Sequence, residues 1–179
     1  MRKISLFIAT SIDGYIAKPN NDLSFLKLVE HEGEDYGYSS FIKDIDTIIV
    51  GRKTYDYVLE VIGDSHYDNG QRDVYVITRN KKPQIGRTIF YNDDIKRLVN
   101  QLKLQNGKNI YCDGGSEIIY ELLKNNLIDE LTISIIPIIL GSGIKLFKEI
   151  PFEIPMKFVS SNEFKTGLIQ IKYSRILNT

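Results

Sequence analysis

The sequence predicts an α/β protein with a mixed, mostly parallel sheet of about eight strands, flanking helices and a C-terminal antiparallel hairpin. Short runs rich in β-branched and aromatic residues recur at 4–9, 47–50, 74–78, 88–91, 109–112, 130–136, 157–164 and 168–175. Segments with helical spacing of apolar residues lie between several of these runs, at 53–61, 94–104 and 116–123. Strands that alternate with helices are typical of parallel βαβ units, and the short 165–167 link between the last two runs predicts a hairpin.

Length, charge and composition limit the class of protein. The chain has 179 residues with 23 basic and 23 acidic side chains, and 42% of its residues are hydrophobic. This length predicts one domain over residues 1–179, and the zero net charge argues against nonspecific nucleic-acid binding. The longest apolar stretch, 133–140, is much shorter than the roughly 20 residues that span a bilayer, so we expect no membrane partner.

The N-terminus and the cysteine content predict a cytoplasmic protein without a metal. The apolar run 4–9 ends at Asp13-Gly14 with no cleavage site after it, which favours a first strand over a signal peptide. A single cysteine, Cys112, permits no internal disulfide, and two histidines form no zinc-like spacing.

Three predicted strands end in residues suited to a phosphate-bearing ligand. The first runs into Gly51-Arg52-Lys53-Thr54, where glycine permits close backbone approach and the other three side chains offer donors. The second ends in Thr78-Arg79, a pair that suits the 2′-phosphate of NADP better than the 2′-hydroxyl of NAD. The alternatives are an ordinary helix start and a solvated basic turn.

The third strand leads through Asp113-Gly114-Gly115 into Ser116-Glu117 at the start of a helix. Paired glycines at a helix N-terminus allow a pyrophosphate to contact bare backbone, although a double glycine is also a common structural turn. Because the carboxyl ends of parallel strands share one edge of a sheet, the three ends are expected to converge on a dinucleotide site.

These motifs, in this order, resemble the dihydrofolate reductase-like superfamily over nearly the whole chain. The stretches 9–17 and 136–143, the second followed by Leu146-Phe147, look most like the reductase domain of the riboflavin-biosynthesis deaminase–reductases and its small stand-alone relatives. The resemblance implies a three-layer dihydrofolate reductase-like fold, NADPH as hydride donor and a homodimer. Thr54 is followed by Tyr55-Asp56-Tyr57 instead of the Thr-x-x-x-Asp-Asp-Pro of pyrimidine reductases, which argues against a ribosylated pyrimidine as substrate.

The same resemblance implies roles for individual residues. The cofactor phosphates would contact Gly51, Arg52, Lys53, Thr54, Thr78, Arg79, Gly114, Gly115, Ser116 and Glu117, and Ala9 and Ile16 would flank the nicotinamide. The stretch Asp22-Leu23-Ser24-Phe25 resembles the dihydrofolate reductase segment that carries the substrate-binding acid. The substrate would then contact Asp13, Phe25 and Pro137. The segment 137–143 is predicted to be either a pocket wall or a subunit contact.

Hydride transfer also requires a proton donor, for which Asp13 and Asp22 are the candidates. Asp22 could act only if burial raised its pKa. The alternatives are an Asp-Gly turn for Asp13, a helix cap for Asp22, and water as the donor. We therefore predict an NADPH-dependent reductase of a small heterocycle, pterin-like or pyrimidine-like. A nucleotide-binding module without turnover and a purely structural dimer module are the alternatives.

Overall fold

The computed structural model describes residues 1–63, 66–67 and 70–176. Its regular elements are β1 (Ile4–Ser11), β2 (Tyr15–Ala17), α1 (Tyr38–Lys43), β3 (Ile45–Gly51), α2 (Arg52–Val61), β4 (Asp73–Ile77), β5 (Thr88–Tyr91), α3 (Ile95–Leu104), β6 (Asn109–Gly114), α4 (Ser116–Lys124), β7 (Glu130–Ile136), β8 (Ile144–Lys145), β9 (Met156–Glu163) and β10 (Ile169–Arg175). Two 3₁₀ helices, Pro19–Asn21 and Ser24–Val29, lie between β2 and α1.

The main sheet has eight strands in the order β5-β4-β3-β6-β1-β7-β10-β9. All neighbours from β5 to β7 are parallel, whereas β10 is antiparallel to both β7 and β9. The predicted mixed sheet with a C-terminal hairpin is thus confirmed. A second sheet, in which β2 pairs with β8, was not predicted, because its strands contain only three and two residues.

Helices cover both faces of the sheet, and this explains the uninterrupted apolar runs of the central strands. On β3, Ile49 belongs to the hydrophobic cluster that contains α3 and α4. Its neighbours Ile48 and Val50 point the other way, into the cluster that contains α2 and receives the apolar side chains of α1. Successive side chains of a strand alternate between its faces, so a strand buried on both sides needs apolar residues at every position.

Helix α1 was not predicted because its six residues are too few for a periodic pattern. Its start is held by Asp35, whose carboxylate oxygens accept hydrogen bonds from Gly37 N and Ser39 N, both at 2.9 Å. Its apolar side rests on the sheet, where the rings of Phe41 and Phe7 stack with centroids 4.8 Å apart. The helix thus depends on contacts between residues distant in sequence.

The pairing register brings the ends of three predicted strands together. On β3, Gly51 pairs with Ile77 of β4, and Val50 pairs with Gly114 of β6. The connections after β3, β4 and β6 therefore leave the same edge of the sheet side by side. Among the described residues, no helix has the length and hydrophobicity needed to cross a membrane.

Two leucine substitutions test this packing. Leu122, in α4, is fully buried, whereas Leu104, the last residue of α3, is 81% exposed. We expect Leu122→Ala to lower the free energy of unfolding by about 2–5 kcal/mol through lost burial and an unfilled cavity. Leu104→Ala should change it by less than about 0.5 kcal/mol. Equilibrium urea unfolding measures both, and equal losses would contradict the assigned packing.

Candidate functional site

The connections that follow β3 and β6 touch each other through their glycines. A Cβ placed on Gly51 would lie 3.5 Å from Gly114 O and 3.0 Å from the Ile118 side chain. A Cβ placed on Gly115 would lie 3.0 Å from Thr54 Oγ1. Both positions are therefore tight for any side chain, and glycine at each allows the two connections to approach closely.

Two helices begin at this contact with uncapped N-termini. The N-cap residues of α2 and α4 are Gly51 and Gly115, and neither helix start receives a side-chain hydrogen bond at its cap. By contrast, Asp94 caps α3 and accepts a hydrogen bond from Arg97 N at 2.8 Å. Free N–H groups and the positive end of the helix dipole favour an anion. Two such starts side by side fit a dinucleotide pyrophosphate.

Cationic side chains lie beside this point. Arg52 Nε donates to Asp56 at 2.6 Å, and its Cζ atom lies 5.7 Å from the centre of the Phe90 ring. Lys82 Nζ lies 5.6 Å from the same ring. Lys53 is exposed on the first turn of α2. Because Asp56 compensates the charge of Arg52, the excess positive charge at this end of the sheet edge comes from Lys53 and Lys82.

The remaining predicted cofactor residues also lie along this edge. Thr78 Oγ1 accepts a hydrogen bond from Asn80 N at 3.2 Å, and Arg79 is exposed. Ser116 begins α4, and the exposed Glu117 forms an ion pair with Lys148. The structure thus brings the three predicted strand ends together, as the sequence implied.

An open cavity of about 590 Å³ lies on the face of the sheet that carries α1. Its floor is aromatic and includes Phe7, Tyr38 and Tyr111, with edge-to-face ring contacts between Tyr38 and each of the other two. Ala9 also lines the cavity, which places it beside the end of β1. Such a cavity suits a flat, largely apolar ring.

One rim of this cavity consists of residues 30–35, which are not among the residues predicted to contact cofactor or substrate. Glu30, Glu32, Glu34 and Asp35 are exposed there, together with His31. Their sequence shows only a polar run with no recognisable motif. Their position over the cavity results from the packing of the 3₁₀ helix Ser24–Val29 and α1 against the sheet.

Asp113 forms a hydrogen-bonded cluster with tyrosines beneath the cavity. Tyr111 Oη donates to Asp113 Oδ1 at 2.7 Å, and Tyr67 Oη donates to Asp113 Oδ2. Burial raises the pKa of Asp113, against the opposing effect of these two hydrogen bonds. Burial also raises the pKa of Tyr38 to about 12, so this phenol is protonated near neutral pH. Because Tyr111 lines the cavity, it connects the buried acid with the space above.

Asp113 is not among the site residues predicted from the sequence, although a signal was present. Asp113 is an acidic residue at the end of an otherwise apolar strand, directly before the paired glycines. An acid at such a place is a candidate for a perturbed pKa. The two tyrosines that surround it come from distant parts of the sequence, and their spacing gives no indication of the cluster.

Asp13 stabilises a loop contact in this structure. Its carboxylate accepts hydrogen bonds from Ser11 Oγ at 2.6 Å, Leu140 N at 3.0 Å and Gly141 N at 2.7 Å. The Ser11 hydroxyl is the largest of the effects that lower the pKa of Asp13 to about 2. This direction is opposite to the one that proton donation near pH 7 requires. The contacts agree with the alternative of an Asp-Gly turn.

Asp22 likewise has a local role. It is exposed, and its carboxylate accepts hydrogen bonds from Ser24 N at 2.7 Å and Ser24 Oγ at 3.1 Å. The hydrogen bond from Ser24 N is the largest effect that lowers the pKa of Asp22, so the raised pKa required of a donor is not found. Asp22 thus forms a local turn directly before the 3₁₀ helix Ser24–Val29, whose N-cap residue is Leu23.

The other predicted contact residues do not line the cavity. Phe25 is 3% exposed and packs with Ile136 and Leu168 in the core behind the cavity wall. Pro137 is exposed and faces the turn at Gly167. Ile16, predicted at the nicotinamide, is half-buried and packs against the main hydrophobic cluster. Phe25 is therefore in a position to support the wall and does not line the cavity directly.

The Asp13 contacts predict a pH-dependent stability. Because the folded pKa is lowered from 3.8 to about 2, the stabilisation is present above pH 3.8 and is lost as the pH falls toward 2. We expect Asp13→Asn to lower the melting temperature at pH 7 and the deficit to shrink between about pH 4 and pH 2. Asp44→Asn is the control, since Asp44 is exposed and its carboxylate has no hydrogen bond among the described residues. A deficit that is constant over this pH range would contradict the assigned contacts.

Residues 2–170 match the model of the RibD C-terminal domain family. Two proteins of Bacillus subtilis (strain 168) are similar over nearly their whole length. The uncharacterized protein YwjB is 36% identical over 175 residues, which cover 97% of this chain and 98% of YwjB. The uncharacterized protein YyaP is 31% identical over 181 residues, which cover 96% of this chain and 94% of YyaP.

Solved structures agree with this assignment. A protein of Shewanella sp. PV-4, provisionally described as a riboflavin biosynthesis protein, has a TM-score of 0.88 at 28% identity. The alignment covers 98% of this chain and 99% of that one. Dihydrofolate reductase from Enterococcus faecalis, in complex with NADP(H), has a TM-score of 0.67 at 19% identity, over 97% of this chain and 96% of the reductase. The predicted dihydrofolate reductase-like fold is therefore confirmed. The chain belongs to the RibD C-terminal domain family.

Proposed function

We propose that this protein is an NADPH-dependent reductase that transfers a hydride to a small heterocyclic substrate. The observation that carries the proposal is the meeting of two uncapped helix starts at glycine-containing strand ends, next to an aromatic cavity. Family membership supports it, because the similar structures include reductases, one of them in complex with NADP(H). When bound, the cofactor supplies the hydride, and the protein supplies binding, orientation and a proton.

The backbone and the basic side chains would hold the cofactor. The N–H groups at the starts of α2 and α4 are available for a pyrophosphate between Gly51 and Gly115. Thr78 and Arg79, at the end of the neighbouring strand β4, are suited to a 2′-phosphate. Ala9 belongs to the cavity lining, so a nicotinamide at the end of β1 would lie next to the substrate.

We further propose that Asp113 supplies the proton, with Tyr111 between it and the cavity. The raised pKa of Asp113 favours its protonated form, and its hydrogen bond with Tyr111 provides a path to the cavity. For this transfer, protonated Asp113 would donate to Tyr111 Oη, the reverse of the hydrogen bond in the structure, and the Tyr111 hydroxyl would turn toward the substrate. The proton on Asp113 would then pass to Tyr111 Oη as the phenol proton passes to the substrate. This assignment replaces Asp13 and Asp22, whose pKa values are shifted in the opposite direction.

A thermal-shift experiment tests the cofactor. At about 100 times its Kd, NADPH should stabilise the protein by about 2.7 kcal/mol, which corresponds to a rise of roughly 5–10 °C in a domain of this size. NADH should give a much smaller rise. Arg79→Gln should weaken NADPH binding about tenfold and leave NADH unchanged, because it removes a charged donor to the 2′-phosphate. Arg97→Gln, on the distant helix α3, is the control. No shift with either dinucleotide would contradict the proposed function.

Turnover tests the proton donor. We expect Asp113→Asn to lower kcat at least about tenfold, the usual contribution of a general acid being 10²–10⁴. The wild-type rate should fall as the pH rises through the raised pKa of Asp113, and the variant should lose this dependence. Tyr111→Phe should also lower kcat, and both variants should keep the NADPH-induced thermal shift.

Asp44→Asn, which removes an exposed carboxylate, is the matched control for Asp113→Asn. Unchanged kcat and an unchanged pH profile in Asp113→Asn would assign proton delivery to water. NADPH binding without oxidation across pterins, pyrimidines and quinones would instead support the nucleotide-binding module that the sequence analysis kept as an alternative.

A further inference from the structure

The charge of the cavity indicates which substrates it accepts. The walls are apolar and aromatic, and apart from residues 30–35 the polar side chains among them carry neutral hydroxyls, of Tyr36, Tyr38, Tyr111 and Ser134. No lysine or arginine lines the cavity within the part of the chain that the structure describes. The interior therefore offers stacking surface and hydrogen bonds but no cation for a phosphate or carboxylate.

The rim of the cavity carries four acidic residues, Glu30, Glu32, Glu34 and Asp35. Two of them are fixed by the backbone: Glu34 Oε1 accepts from Tyr36 N at 2.8 Å, and Asp35 accepts from Gly37 N and Ser39 N. Hydrogen bonds from Ser39 are the largest of the effects that lower the pKa of Asp35, so its carboxylate is ionised at neutral pH.

None of these carboxylates forms an ion pair among the described residues, and the rim also carries His31. The ten ion pairs among the described residues involve none of the four. The cations near the candidate site, Arg52, Lys82 and Arg79, follow the ends of β3 and β4, whereas the cavity lies over β1, β6 and β7. The surface is therefore basic beside the ends of β3 and β4 and acidic at the cavity over β1, β6 and β7.

We propose that the substrate of this cavity is a planar ring that is uncharged or positively charged and bears no phosphate or carboxylate group. This inference rests on the proposed reductase function. An anionic tail that left the cavity would pass the acidic rim without meeting a compensating cation. A ring without such a tail would lose no affinity at the rim, and a positively charged ring would bind more tightly because the acidic rim attracts it.

A matched pair of ligands tests the proposal. The two ligands are 6-methyl-7,8-dihydropterin, which is uncharged, and 7,8-dihydrofolate, which has the same ring and a tail with two carboxylates. Equilibrium dialysis without cofactor measures the binding of each. We expect the uncharged ligand to bind at least about tenfold more tightly at low ionic strength, with the ratio falling toward two- to threefold at 150 mM salt, where the Debye length is about 8 Å.

Substitution of the rim isolates the charge effect. The triple variant Glu30→Gln, Glu32→Gln and Glu34→Gln keeps Asp35, which holds the start of α1. A carboxylate about 8 Å from a single charge in water changes affinity about twofold, so this variant should bind dihydrofolate about tenfold more tightly than the wild type at low salt. The control variant carries Glu60→Gln, Glu149→Gln and Glu153→Gln, three exposed glutamates that do not line the cavity. It removes the same net charge and should leave the ratio of the two affinities unchanged.

The outcomes separate this inference from the proposed function. Equal binding of the two ligands, or an equal response of the rim and control variants, would overturn the charge selectivity. Failure of 6-methyl-7,8-dihydropterin, an uncharged pyrimidine and an uncharged quinone to bind at millimolar concentration would overturn it as well. Selective binding of an uncharged ring without NADPH oxidation would overturn the reductase function and leave the charge selectivity in place.

Discussion

The backbone contact between the connections after β3 and β6 determines the geometry of the candidate site. A Cβ on Gly51 would lie 3.6 Å from Gly115 N and 3.0 Å from the Ile118 side chain, and a Cβ on Gly115 would lie 3.0 Å from Thr54 Oγ1. Helices α2 and α4 pack on opposite faces of the sheet, yet both begin at this contact. Their dipoles are therefore directed at one point, although each helix is held by a different hydrophobic cluster. The parallel arrangement of β3 and β6 makes this possible, because parallel strands end at a common edge.

The zero net charge of the chain conceals two local fields of opposite sign. Basic side chains follow the ends of β3 and β4, and acidic side chains line the cavity over β1, β6 and β7. A dinucleotide phosphate and an uncharged ring would thus each meet a field that suits them. Net charge predicts weak nonspecific binding of a polyanion, but it does not report how charge is distributed over the surface.

The three aspartates considered as proton donors show how strongly the environment controls a carboxyl group. Asp13 and Asp22 are exposed and accept hydrogen bonds from nearby groups, which stabilise the ionised form and lower the pKa. Asp113 also accepts two hydrogen bonds, yet its pKa is raised because desolvation outweighs them. Burial thus distinguishes Asp113 from the two aspartates that the sequence motifs selected.

The sequence by itself determined the strands of the main sheet, the three longer helices, the hairpin and the glycine-containing strand ends. These features depend on local periodicity and on backbone requirements that individual residues reveal, such as the paired Gly114 and Gly115. The tertiary structure alone decided that Asp113 lies among Tyr67 and Tyr111, that Phe25 is core, and that residues 30–35 form the acidic rim. Those arrangements join segments far apart in the chain. The pKa values of the side chains and the electrostatic field at the cavity depend on interatomic distances and on burial, which no local sequence pattern encodes.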